Sequence, residues 1–367
     1  MRAAVLYAER EPFRVEEVEL APPQAEEVLV RLHASGVCHS DWNTVTGVSP
    51  HPLPVVLGHE GAGVVESVGE GVTAVAEGEH VVLSWLPACG RCAYCTSGRQ
   101  NLCAEAAPAM MAGALPGGVR LSSNGRRVHH YSFLSTFAER AVVPEASCIP
   151  IRNDVPFEVA ALVGCAVMTG VGAVVNRARM QAGSSAVVIG AGGVGLSVVQ
   201  GCRLAGAATI AAVDPVASKR ELALELGATD AIDPTDADPV EAVRSLTGGG
   251  SDYAFEAVGL PQLARQGFDA LRPGGTLVCI GIPAVHAEVS LPQIVFPREE
   301  KVVTGSLYGS CRPRTDMPMV LDLYKQGRLD LDRLVTKTYP LEQINEAFAD
   351  MEAGRVARGV LVLAGAG

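Results

Sequence analysis

Four of the ten cysteines in this chain crowd into one short stretch, Cys89-Gly90-Arg91-Cys92-Ala93-Tyr94-Cys95, with Cys103 following after seven intervening residues. Short gaps let successive thiolates turn inward on one cation, and four sulfurs close a tetrahedral site that leaves no position for substrate. The spacing therefore predicts a structural zinc held by Cys89, Cys92, Cys95 and Cys103. Disulfides are the plain alternative, disfavoured in a chain read as cytoplasmic. An iron–sulfur cluster fits poorly, because the last gap is seven rather than three and no proline follows Cys103.

A second constellation begins with Ala186-Val187-Val188-Ile189, a buried-strand run, and continues through Gly190-Ala191-Gly192-Gly193-Val194-Gly195 into a helical stretch. Glycines here permit a tight turn, close approach of a pyrophosphate to the backbone, and close helix-to-strand packing. The start of the helix adds N–H groups and a positive dipole end. Alone, the pattern also fits any tight turn. Asp214 tips the balance: it ends the next strand, Thr209 to Val213, nineteen residues after Gly195. An acid at that place accepts hydrogen bonds from the adenosine ribose and repels a 2′-phosphate. NAD is therefore favoured over NADP, with Gly190, Gly192, Gly193, Val194, Gly195, Asp214 and Lys219 as coenzyme residues. Lys219 and Arg220 weaken that preference, and Arg220 reads equally as a coenzyme contact or as part of a solvated helix face.

Three further potential ligands lie far apart: Cys38 in Gly36-Val37-Cys38-His39-Ser40-Asp41, His59 in Gly58-His59-Glu60-Gly61, and Cys165 in Gly164-Cys165-Ala166. A catalytic zinc takes three protein ligands and keeps a fourth position open. Singly, each residue has a bland reading, since a lone cysteine in an apolar context is usually inert core and a lone histidine is usually surface.

The elements that must position these groups fall into two kinds. From Arg2 to about Cys148, short β-like runs (Val28 to Leu32, Gly63 to Val68, His80 to Leu83, Arg140 to Val143) are broken by Gly, Pro and Asn, which predicts a β-rich domain. From about Val167 to Gly309, strands (Ala186 to Ile189, Thr209 to Val213, Tyr253 to Glu256, Thr276 to Ile280, Lys301 to Gly305) alternate with helices (Gly195 to Leu204, Ala217 to Leu226). Alternation of that kind predicts a parallel, doubly wound sheet. Helices at Asp316 to Gln326 and Leu341 to Glu352 and a strand at Gly359 to Leu363 complete the chain.

A length of 367 residues suits roughly two domains. Abundant glycine (40) and few aromatics (5%) suit α/β layers packed through small residues. A net charge of −11 argues against nucleic acid as the partner, because phosphate binding needs a basic face. The opening Met1 to Arg10 lacks a secretory signal, so the expected location is cytoplasmic. Ser184 to Cys202 is uncharged and by length alone could span a membrane, but its glycines are better explained by the dinucleotide turn, and no membrane partner is expected.

Together these motifs, with Phe255-Glu256-Ala257-Val258-Gly259 and Gly354-Arg355-Val356-Ala357-Arg358, make the chain resemble the zinc-containing medium-chain alcohol dehydrogenases over nearly its whole length. The resemblance implies an α/β protein in which a GroES-like β-rich catalytic domain (1–166, completed by 310–367) accompanies a Rossmann coenzyme domain (167–309). It implies Cys38, His59 and Cys165 as catalytic zinc ligands, Asp41 orienting a ligand histidine and Glu60 near the metal. Two zincs per chain and NAD are the expected cofactors, the metal acting on the alcohol oxygen as a Lewis acid and the nicotinamide accepting the hydride. Ser40 matches the proton-relay hydroxyl, unless it instead caps a helix starting at Asp41. His39 and Arg358 match cations of the coenzyme pyrophosphate, and Thr169 a contact of the nicotinamide carboxamide. Trp85 and Tyr308 fall where relatives line their pocket, or are ordinary core aromatics.

Two departures bear on substrate. Relatives often end the proton relay in a histidine where this chain has Asn43, and the glutathione-dependent branch carries acids between the first cysteine ligand and the histidine, whereas Thr46 to Leu57 has none. The expected reaction is oxidation of a primary alcohol or reduction of its aldehyde. A thiol-adduct formaldehyde dehydrogenase is the alternative, and a zinc-ribbon binding module the distant one. By analogy the chain is expected to form a homodimer through Lys301 to Gly305.

Overall fold

The computed structural model describes residues 1–363. They form two compact units, one of Met1–Cys165, Arg312–Gly327 and the chain from Leu331 onward, the other of Ala166–Cys311 with Arg328–Asp330. The closing segment is thus interrupted: Gln200 accepts from the Asp330 N–H at 2.7 Å and donates to its carbonyl at 3.0 Å, which draws Arg328–Asp330 to the second unit.

The first unit is built around the strand Glu27–Gly36. Val28, Val30, Leu32 and Ala34 are wholly buried, the two-residue period of a strand with one face on the core. Its neighbours are Gly61–Val68, Arg140–Pro144 and the closing strand Arg358–Val362, all antiparallel. The closing strand sets Val360 opposite Gly36 and Leu361 opposite Ser35, so residues more than three hundred positions apart pair inside one sheet. The Val28 to Leu32 run predicted from sequence extends to Gly36, because Ala34 to Gly36 pair with the closing strand on one side and Ala34 and Ser35 with Ala62 and Gly61 on the other.

In the second unit six parallel strands run in the spatial order Asp230–Ile232, Thr209–Val213, Ser185–Ile189, Ser251–Glu256, Leu271–Cys279, Val302–Gly305. Counted along the chain this is 3-2-1-4-5-6, the doubly wound order whose switch point lies between strands 1 and 4. The glycine turn follows strand 1, and Glu256 ends strand 4. Strand Asp230–Ile232 and the helices Pro239–Thr247 and Pro261–Asp269 are additions to the sequence reading. Each helix opens with a proline in its first turn, where the missing N–H costs nothing.

The uncharged stretch 184–202 is no membrane span: it divides into the strand Ser185–Ile189, the glycine turn and the helix Gly193–Leu204. Among the described residues one helix, Phe157–Ala178, is long and apolar enough to cross a bilayer, and 83% of its most apolar window is buried inside the protein.

Candidate functional site

In the first unit the chain leaves the central strand at Gly36, and Cys38 becomes the N-cap of the helix His39–Val45. Asp41, in the first turn and fully buried, accepts from the Cys38 N–H at 3.3 Å with one carboxylate oxygen. The other oxygen accepts from the Gly58 N–H at 3.1 Å and holds His59 Nδ1 at 3.0 Å. One carboxylate thus fixes both cysteine and histidine and leaves Nε2 as the donor atom of His59. Gly58 sits at φ +93, and a Cβ there would collide with Thr136 and Phe137, so only glycine lets the chain bend tightly enough to present His59.

Cys165 arrives from the Phe157–Ala178 helix, in the widened π-helical turn Val163–Val167. Beside it Gly164 passes so close to the Leu83 carbonyl that a Cβ would lie 2.8 Å from that oxygen. Single widened turns of this kind recur at functional positions. The ligand atoms of Cys38, His59, Glu60 and Cys165 lie within 4.8 Å of one another. Two thiols and an imidazole converging in a buried space are the donor set that suits zinc with an open position. The Cys38 thiol lies well below the usual range because Cys165 donates to it, a pull that outweighs burial and is reinforced by His59. Burial pulls His59 down, but the Asp41 carboxylate and then Cys38 more than offset it, so its affinity for a proton is raised well above normal. This set therefore attracts positive charge, which a divalent cation supplies.

Glu60 is fully buried. One of its oxygens pairs with the Arg358 guanidinium while Oε1 has no hydrogen-bond partner. Burial pushes its carboxyl up to about 7 against the downward pull of Arg358. Arg358 is itself 5% exposed. The structure pairs Arg358, expected from the resemblance to meet the coenzyme pyrophosphate, with Glu60. Arg358 opens the closing strand, whose Val360 lies opposite Gly36, and a Cβ at Gly36 would overlap the Glu60 carboxylate oxygen that Arg358 meets.

Ser40 lies in the first helical turn, its hydroxyl 3.8 Å from Cys38 Sγ. Since Cys38 occupies the N-cap, Ser40 does not cap the helix, and the alternative that it does falls away. His39 opens the helix with its side chain exposed, and Asn43 is half-buried. Tyr131 was missed in the sequence: its hydroxyl donates to the Ser40 carbonyl at 3.1 Å, and its ring meets the His59 ring edge-on at 5.8 Å. The left-handed Ser132, Phe133 and Ser135 that follow it mark strained backbone, a signal of function that only coordinates reveal. Trp85 is half-buried against the main apolar core of this unit.

The four-cysteine lobe gathers Cys89, Cys92, Cys95 and Cys103 with their sulfurs within 4.8 Å of one another. Backbone N–H groups aim at these sulfurs, Cys89 N at Cys103 Sγ (3.3 Å) and Cys92 N at Cys89 Sγ (3.4 Å). Donors of this kind hold Cys92 down to about 6, whereas burial pushes Cys95 up to about 12. The four fit a closed tetrahedral metal.

In the second unit Gly190 takes φ +92, and Gly195 packs onto the Gly190 carbonyl with no room for a Cβ. At Gly192 a Cβ would meet nothing within 4 Å. Packing among the described residues therefore does not demand glycine at that position. The Gly193–Leu204 helix begins directly after it. Val194 lies in its first turn. Asp214, 6% exposed, accepts from the Ala191 N–H at 2.9 Å and from the Val216 N–H at 2.9 Å. The acid expected for the ribose thus also fixes the loop. Glu256 matches it across the switch point, accepting from Val258 and Gly259 N–H groups at 2.8 and 2.7 Å. Lys219 and Thr169 are half-buried, and Tyr308 is 2% exposed at φ +54. Arg220 is neither free for solvent nor turned outward, being paired with Asp233.

Residues 24–153 match the alcohol dehydrogenase GroES-like domain and residues 193–326 the zinc-binding dehydrogenase domain. The NDMA-dependent alcohol dehydrogenase of Amycolatopsis methanolica is 42% identical over 364 residues, covering 98% of each chain. The S-(hydroxymethyl)glutathione dehydrogenase of Synechocystis is 41% identical over 365 residues, covering 98% of this chain and 99% of that one. Benzyl alcohol dehydrogenase from Acinetobacter calcoaceticus matches in structure with a TM-score of 0.95 at 35% identity, over 99% of both chains.

Proposed function

The chain belongs to the zinc-containing medium-chain alcohol dehydrogenases, with their GroES-like and Rossmann folds, and from that premise we propose that it transfers a hydride between a primary aliphatic or aromatic alcohol and NAD. The observation that carries this reading is the convergence of Cys38, His59 and Cys165 with Asp41 bound to the far nitrogen of the histidine. Those three residues would hold one zinc and the Cys89, Cys92, Cys95 and Cys103 lobe a second. The first zinc, when bound, acidifies the substrate hydroxyl and polarises the aldehyde carbonyl. NAD, when bound at Gly190 to Gly195 and Asp214, accepts the hydride.

The protein's own groups do the rest. Asp41 keeps His59 oriented and neutral at Nε2 when metal is bound. Ser40 Oγ takes the proton of the substrate hydroxyl, and Tyr131 fixes the backbone that carries it. Asn43 offers no titratable group, so as Ser40 Oγ takes that proton its own hydroxyl proton passes to water. Asp214 supports NAD over NADP through its carboxylate at the end of strand 2 of the Rossmann sheet.

A thiol adduct of formaldehyde is the second substrate reading, favoured by the likeness to an S-(hydroxymethyl)glutathione dehydrogenase. The absence of acids from Thr46 to Leu57 counts against glutathione itself as the carrier. The partner is a second copy of the chain: Val302–Gly305 is the edge of its sheet, with Val302 and Val303 47% and 37% exposed, an apolar edge that pairing would cover.

The test combines metal content by mass spectrometry for the wild type and Cys38→Ser with NADH formation on aliphatic, benzylic and thiol-adducted alcohols. About two zincs per chain falling to about one, with turnover lost, is the expected result. One zinc that survives the substitution, with no nicotinamide turnover, would leave only the cysteine lobe and make the chain a zinc-ribbon binding module.

A further inference from the structure

Val213 lies opposite Ile232 in the parallel Rossmann sheet, so the next residues of both strands, Asp214 and Asp233, leave it side by side at its carboxyl edge. The Asp214 N–H reaches the Ile232 carbonyl at 3.3 Å. The helix Ala217–Glu225 returns over this edge with Arg220 in its first turn. The Arg220 guanidinium spans the two strand ends: Nη1 donates to the Asp214 carbonyl at 2.8 Å, and Nη2 meets Asp233 Oδ2 at 2.7 Å. Each side chain of this pair is 18% exposed. Asp233 cannot easily turn away, because its other oxygen accepts from the Thr235 N–H at 2.9 Å and the Thr235 hydroxyl at 2.6 Å.

This places an arginine against the backbone of the acid that would hold the adenosine ribose, the place where a coenzyme 2′-phosphate would need a cation. A guanidinium is the side chain best matched to phosphate, through its planar fork of donors. Here the fork is already occupied. We propose that Asp233 is a positioning residue for coenzyme choice: by clamping Arg220 onto the strand ends it denies that cation to a 2′-phosphate. Asp214 repels the phosphate directly, and Asp233 withholds what would attract it. The inference rests on the dinucleotide reading of this unit and adds a second, separable determinant to it.

Binding tests this without turnover. Dissociation constants for NADH and NADPH are measured by coenzyme fluorescence in Asp214→Ser, where direct repulsion is gone and a released Arg220 finds no second carboxylate, and then with Asp233→Asn added. The amide keeps an acceptor for Thr235 while facing Arg220 with a donor. The added substitution is expected to shift the NADPH-to-NADH affinity ratio roughly tenfold towards NADPH, the worth of one charge-assisted hydrogen bond. Further addition of Arg220→Gln is expected to cancel the gain. Damage to the sheet edge alone weakens both coenzymes and leaves the ratio where it was. An unchanged ratio with NADH still bound therefore overturns the role of Asp233 and leaves the NAD site standing. Failure of the wild type to bind either coenzyme overturns both.

Discussion

Glu60 and Arg358 pair in the interior of the first unit, one fully buried and the other 5% exposed, although 298 positions separate them in the chain. Neither charge has water to fall back on. Removing one partner of a buried pair leaves the other uncompensated, which costs about 3–5 kcal/mol, whereas removing both at matched volume costs far less. Arg358→Met is therefore expected to lower stability by about that amount in urea unfolding, and Glu60→Gln with Arg358→Met to recover most of it. Additive losses in the double variant would mean that the two side chains do not act as a pair.

The same carboxyl gives a pH dependence. Burial raises Glu60 from its ordinary 4.5 to about 7. The native state then keeps a proton that the unfolded chain releases between those values, so the stability it contributes is complete below the lower pKa and is lost as pH rises through the upper one. Metal-depleted wild type is expected to lose stability between about pH 4.5 and 7 more steeply than Glu60→Gln, as thermal unfolding at a series of pH values would show. Metal-depleted protein is the right material, because a bound cation adds its own charge to the balance.

Asp41→Asn tests the brace on His59. The amide can still accept from one neighbour, but it cannot supply the negative charge that favours the imidazole orientation. Loss of such a partner typically weakens metal binding about 10–100-fold. Competition with a chromogenic chelator is expected to show that loss for one zinc only, while the zinc of the cysteine lobe keeps its affinity. Equal weakening of both would point to general unfolding.

For the lobe itself, Cys95→Ser is expected to remove about one zinc per chain and to lower the melting temperature, since a structural metal contributes directly to folding. The remaining zinc should stay at Cys38, His59 and Cys165. Retention of both zincs by mass spectrometry would show that Cys95, the sulfur with the most strongly raised thiol in this lobe, is not a ligand.

Much of this was legible in the residues. Thr209–Val213 is a strand over the residues predicted, and Ala217–Glu225 a helix within one residue, because short β-branched runs and a long polar–apolar alternation leave little choice. Asp230–Ile232 was missed because three residues carry no period. The cysteine lobe could be read because its ligands are neighbours, so spacing alone encodes it. Cys38, His59 and Cys165 needed a resemblance, since nothing in a single chain shows that strand, turn and π-helical turn converge. The pairings of Arg358 with Glu60 and Arg220 with Asp233 could not be read at all, because each depends on which strands lie side by side.

Ser40 gives the sharpest test of the proposed chemistry. Its hydroxyl lies 3.8 Å from Cys38 Sγ, while its carbonyl is tied to the Tyr131 hydroxyl at 3.1 Å, so the side chain is presented from a fixed backbone. Ser40→Ala removes the hydroxyl and its contact with Cys38 Sγ and leaves that tie in place. If Ser40 moves the substrate proton, kcat is expected to fall about 10²-fold or more, in the range set by lost general acid–base catalysis. Zinc content and coenzyme affinity should hold. Ser40→Thr restores a hydroxyl on the same atom and is expected to recover most of the rate. A loss in Ser40→Ala that Ser40→Thr does not repair would assign the effect to packing, and an unchanged kcat with an unchanged pH profile would take Ser40 out of the reaction.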